Sequence, residues 1–159
     1  MTIEIILSTE SIISLDLSTA KAQIDSLINN QNHKIEVYEQ QLQFVINYQR
    51  ESDDPRELSE IPEIRLWFIR LDSVYPWLPF LLNWKTGELV RYTAMLVPHQ
   101  FSRSEGILYN PEALEIFVMN KIFVLSDWLK QQNIPAQSRM TSMAQIFGYE
   151  ISNSFFTMI

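Results

Sequence analysis

The sequence predicts an α+β fold: a small N-terminal β-sheet with one helix, followed by a mainly helical C-terminal portion. Three observations carry this prediction. Isoleucine-rich or alternating apolar segments occupy residues 2–7 and 41–48. Between them, residues 18–30 repeat apolar side chains at helical spacing. Beyond Pro62, apolar residues recur three and four apart through Tyr75 and again from Leu114 to Leu129. A chain of 159 residues that is 47% hydrophobic suits one domain, 1–159, with a substantial core.

Residues 2–7 read as a first strand, and 11–17 as its extension or partner, because Ile12, Ile13, Leu15 and Leu17 are mostly apolar. Ser18 is the expected N-cap of a helix that buries Ala22, Ile24, Leu27 and Ile28 and ends in the Asn29-Asn30-Gln31-Asn32 cluster. Residues 34–38 form a weaker strand. Residues 41–48 form a better one, with Leu42, Phe44, Ile46 and Tyr48 on one face.

Asp54-Pro55-Arg56-Glu57 stands in capping-box order and predicts a short helical turn. Pro62 opens the next helix, with Ile64, Trp67, Phe68, Leu71 and Tyr75 as its stripe. A strand competes there, since Ile64, Leu66 and Phe68 also alternate. Helix is favoured because the pattern outruns strand length. Pro76 and Pro79 break the chain into a short turn over 77–82. A helix over 85–96, capped at Thr86, turns Leu89, Val90, Thr93 and Leu96 inward. Residues 99–109 read as the longest loop, and Asn110-Pro111-Glu112 opens the strongest helix, to about Gln132. A last helix starts at Ser138 and stops at Gly148, and an apolar tail ends in Phe155, Phe156, Met158 and Ile159.

Composition removes several function classes. With no cysteine, there is no thiolate to hold zinc or an iron–sulfur cluster and no cysteine nucleophile. Three scattered glycines, Gly87, Gly106 and Gly148, leave no phosphate-cradling loop. A net charge of −7 argues against nucleic acid and anionic membrane surfaces. The apolar stretches are interrupted by Arg65, Arg70 and Asp72, or by Glu115 and Lys121, so no membrane span is expected. The N-terminal residues lack a basic start and carry Glu4 and Glu10, unlike a secretory or transit segment, so the expected location is cytoplasmic.

Two surfaces stand out as candidates for contact. Residues 51–63 hold six carboxylates against Arg56 alone. The run lacks an EF-hand order, so a solvated acidic face is favoured over a cation site, and a third reading is a docking surface in which Asp53, Asp54 and Glu57 steer a basic partner. The second surface is the aromatic stretch 64–84, with Arg65, Arg70, Trp67 and Trp77, beside His99 and Arg103. Tryptophan and arginine dominate interface energetics, although tryptophans at helical spacing also build cores. On one helix, Arg65 and Arg70 lie about 140° apart. That suits one arginine holding the acidic connector while the other faces a partner. His99, with Glu105 or nearby carboxylates, offers a hydrolase-type alternative.

The blocks ESDDPRELSEIPEIRLWFIRLDSVYPWLP (51–79), GELVRYTAMLVPHQFSRSEGILYNPEALEIFVMNKIFVLSDWL (87–129) and AQIFGYEI (144–151) resemble the chlororespiratory reduction six family of cyanobacteria and chloroplasts. The resemblance implies a non-enzymatic assembly factor with no cofactor and no catalytic residues to transfer. It implies action on the photosynthetic NAD(P)H dehydrogenase-like complex while its hydrophilic arm is made. The implied partner is the iron–sulfur subunit I and intermediates that contain it. A permanent structural subunit is the other reading.

Overall fold

A computed structural model describes residues 1–30 and 33–158, without the side chains of residues 101 and 107. Gln31, Asn32 and Ile159, used above in the helix stop and the apolar tail, lie outside the described residues. The architecture is α+β, with a small parallel sheet at the N-terminus and helices mostly beyond it. The chain packs as two compact units, Met1–Leu96 and Val97–Ile159, described here in turn.

In the first unit, β1 (Ile3–Ser8) pairs in parallel with β2 (Leu42–Asn47), placing Ile5 beside Phe44 and Leu7 beside Ile46. Parallel strands need a crossover, and the intervening chain supplies it as α1 (Thr9–Ile13) and α2 (Ser18–Ile28). The strand expected over 11–17 is therefore corrected to a helix and a turn. Ser8 ends the strand by capping α1, its Oγ accepting from Ser11 N at 3.2 Å. At α2, Leu17 holds the cap position without a side-chain cap and Ser18 is the first helical residue, its N–H donated to Asp16 Oδ1 at 2.9 Å, so Ser18 is not the cap that was expected. α2 buries Ala20 and Ile24, while Ala22 and Ile28 are exposed, a stripe rotated from the one expected. The weak strand at 34–38 is a 3-10 turn, Ile35–Tyr38.

α3 (Pro62–Val74) is helical as favoured, with proline in the first turn and Ile64, Trp67, Phe68 and Leu71 buried. Its stripe meets Phe44 of β2 and Tyr92 of α4 (Glu88–Leu96) in edge-to-face contacts. Phe44 lies 5.3 Å from Phe68, and Trp67 lies 5.2 Å from Phe68. Each such pair contributes about 0.5–1.5 kcal/mol beyond its buried area. Tyr92 also donates its hydroxyl to Asp72 Oδ1, tying α4 to α3. Between these helices run 3-10 turns at Leu78–Phe80 and Trp84–Thr86, and Gly87 turns the chain with φ 81°. α4 buries Leu89 and Thr93 as expected, but Glu88, Tyr92 and Met95 replace Val90 and Leu96 on the inner face.

The second unit opens on a hairpin, β3 (His99–Ser102) with β4 (Gly106–Tyr109), where a loop was expected. Gly106, at φ 78°, follows the three-residue turn that closes it. Asn110 caps α5 (Pro111–Gln131), its Oδ1 accepting from Glu112 N at 3.1 Å and Ala113 N at 3.2 Å. α5 buries Val118, Ile122, Leu125 and Leu129. α6 (Gln137–Ile146) buries Met140, Met143 and Ala144 and ends before Gly148 at φ 82°. Phe155, in the turn Asn153–Thr157, packs edge-on against Phe123 of α5 at 5.4 Å, so this part of the tail docks.

Candidate functional site

The acidic connector is ordered by its own side chains. Arg56 reaches back to Asp54, with Nη2 to Oδ2 at 2.8 Å and Nε to Oδ1 at 3.0 Å. Those hydrogen bonds pull the Asp54 carboxyl down to about 2, so it is ionised throughout the physiological range. The expected capping box at Asp54–Glu57 lies three residues later. Glu57 caps the 3-10 turn Leu58–Glu60, and Glu60 Oε2 accepts from Glu57 N at 2.7 Å. Asp54 Oδ1 also accepts the Arg56 N–H at 3.1 Å, but no helical turn follows at residues 55–57 for it to cap. Asp53 and Glu57 are exposed and Asp54 is half-buried. Among the described residues, no group of three or more acidic or histidine side chains is placed to hold a metal ion.

The aromatic stretch divides between core and surface. Trp67 has no exposed surface and donates its indole N–H to Asp16 O at 3.1 Å. It serves the core and leaves the contact candidates. Trp84 is half-buried, with its N–H on Pro79 O at 2.7 Å. Trp77 is half-buried and stands edge-on to Tyr75 at 5.4 Å. Tyr75 in turn donates to Asp25 Oδ1 at 2.6 Å, and burial plus that carboxylate push its phenol well above the usual range. Arg65 is half-buried and extends Nη1 to Ser59 O, within the acidic connector, at 3.4 Å. Arg70 is exposed on α3.

His99 and Arg103 belong to the hairpin of the second unit. His99 pairs with Tyr109 at the open end, whereas Arg103 and Glu105 lie in the turn at the other. Three strand residues separate the ends, on the order of 10 Å at about 3.4 Å per residue. His99 and Glu105 thus stand at opposite ends of a hairpin where a single loop was expected. An open groove of about 680 Å³ lies elsewhere in this unit, lined by Phe123, Ser126, Lys130, Ile134 and Phe156 among others, without His99.

Two features escaped sequence reasoning. The first is the pair Glu88 and Arg91. Glu88 Oε2 accepts from Phe44 N at 3.0 Å, and Arg91 Nη1 donates to Phe44 O at 3.2 Å while pairing with Glu88 Oε1 at 2.9 Å. Together they replace the strand that β2 lacks on that side. An acidic residue beginning a helix usually reads as a dipole partner, so nothing local signalled its burial. The second is Ser126, whose buried hydroxyl beside the groove has no hydrogen-bond partner among the described residues.

The chain is thus a cysteine-free α+β protein with Asp53, Glu57 and Arg70 exposed and Trp67 in the core. The family model for chlororespiratory reduction 6 matches residues 7–158, and the chain belongs to that family. Membership implies an assembly-factor role for the photosynthetic NAD(P)H dehydrogenase-like complex. No solved structure matches the chain. Among the described residues, no helix is long and apolar enough to cross a membrane.

Proposed function

We propose that this chain is a cytoplasmic, non-catalytic assembly factor that binds the iron–sulfur subunit I transiently while the hydrophilic arm of the complex is built. The family match over residues 7–158 carries the reading. The absence of cysteine from the sequence supports a role by contact, because the chain has no thiolates with which to carry a cluster itself. It helps such a client by shielding an unassembled surface or by holding it open to cluster insertion.

The exposed carboxylates Asp53 and Glu57 steer a basic client, and Arg70 with Trp77 supplies short-range contact. Asp54 and Arg65 hold the connector in shape through Arg56 and Ser59. His99 and Arg103 offer a further contact on the hairpin of the second unit. The test is retrieval of the tagged chain from cells that lack the mature complex. Subunit I and intermediates containing it are the expected catch. Recovery of unrelated proteins alone sinks the proposal.

A further inference from the structure

The two edges of the parallel sheet are treated differently. The outer edge of β2 is closed: Leu42 N donates to Leu81 O at 2.7 Å, Asn83 N donates to Leu42 O at 2.7 Å, and Glu88 with Arg91 satisfies Phe44. The register fixes which groups of β1 face outward. Ile3 N donates to Gln41 O at 2.8 Å, so Ile3, Ile5 and Leu7 turn their main-chain groups to β2, and Glu4 and Ile6 turn theirs away. No strand pairs with that outer edge among the described residues. Within Ile3–Ser8 there is no proline or lysine of the kind that guards an edge. The Glu4 and Ile6 side chains share the outer face, and Ile6 is 59% exposed. Along the segment itself the side-chain charge has one sign: residues 1–20 carry Glu4, Glu10 and Asp16 and no lysine, arginine or histidine.

We infer that the outer edge of β1 receives an extended segment of the client polypeptide as an added strand. The segment carries a lysine or arginine beside Glu4 and an apolar residue beside Ile6. Main-chain hydrogen bonds to Glu4 and Ile6 supply affinity, and the two side chains supply selection. A second copy of this chain fits less well, because it would bring another acidic edge to an acidic edge. The inference rests on the assembly-factor reading and adds where and how the client is held.

Residue-resolved amide hydrogen exchange on the full chain, alone and with purified iron–sulfur subunit I, tests it. The Glu4 and Ile6 amides should slow on the order of tenfold or more in the complex, while Ile5 and Leu7, already paired to β2, stay as they are. Ile6→Pro removes one outward N–H and should weaken binding on the order of tenfold. Glu4→Lys, at an exposed position, should weaken it with the fold intact by circular dichroism. Binding with protection elsewhere and none at Glu4 or Ile6 overturns the strand-addition inference alone. No binding of subunit I overturns both it and the assembly-factor reading. Edge protection that appears without client, together with a dimer mass, assigns the edge to a second copy and overturns the inference.

Discussion

Glu88 Oε2 accepts the main-chain N–H of Phe44 at 3.0 Å, across 44 residues of sequence. The carboxylate stands where a neighbouring strand would place a carbonyl, and Arg91 stands where it would place an N–H. A two-stranded sheet gains a finished edge from the side chains of a helix. Glu88→Ala should strip the acceptor from a buried N–H and destabilise the fold by about 1–3 kcal/mol. Glu88→Gln retains an acceptor and should lose less. Urea unfolding of the three proteins checks the order.

The same carboxyl gives a pH signature. Burial raises the Glu88 carboxyl above its ordinary 4.5, while the Phe44 N–H and Arg91 oppose the rise. A folded value above the unfolded one means the folded chain holds the proton more tightly. The stability from this group is fully present below about 4.5 and is lost as pH rises through the folded value. Wild type should therefore lose stability relative to Glu88→Gln as pH climbs from that point. Asp54 has the opposite sign. Held down to about 2, it contributes stability above 3.8 that is lost as pH falls toward 2, and Asp54→Asn should remove that acid limb. Thermal midpoints of the three proteins between pH 2 and 8 read both effects.

Trp67 and Arg70 separate core from surface on one helix. Trp67→Ala should cost about 3–5 kcal/mol, because it empties a packed site among Phe44 and Phe68. Arg70→Ala should change stability by less than about 0.5 kcal/mol and weaken client binding instead. Unfolding curves and titration with subunit I measure the two effects on the same pair of variants.

Ser126 tests the hydrogen-bond accounting of the second unit. Its buried hydroxyl has no partner among the described residues, so Ser126→Ala should leave stability unchanged or raise it, by up to about 1 kcal/mol. A loss beyond about 1 kcal/mol in chemical denaturation would mean that the hydroxyl is satisfied in solution.

Much of the helical part was legible because local signals agreed with packing. Asn110-Pro111 fixed the start of α5, Pro62 that of α3, and the stripe from Ile64 to Leu71 reached the core as spaced. Misreadings fell where a tertiary partner decides. Residues 11–17 read as a strand on their apolar content, yet Ser8 caps a helix over Thr9–Ile13 and Thr9 Oγ1 donates to Asn47 O at 3.0 Å. The hairpin at His99–Tyr109 hid in a polar sequence, because its turn closes on Gly106 without an Asn-Gly signal. Of the candidate contact residues, Trp67 was indistinguishable from Trp77 by type; only burial separates them. Glu88 was invisible as an edge cap because its partner, Phe44, lies two elements earlier in the chain.

The central claim is transient service to an unfinished complex, and size fractionation of cell extracts tests it most directly. The chain should migrate with small intermediates that contain subunit I and be absent from the mature complex. Co-migration with the mature complex in fixed proportion would contradict the claim and make the chain a permanent subunit.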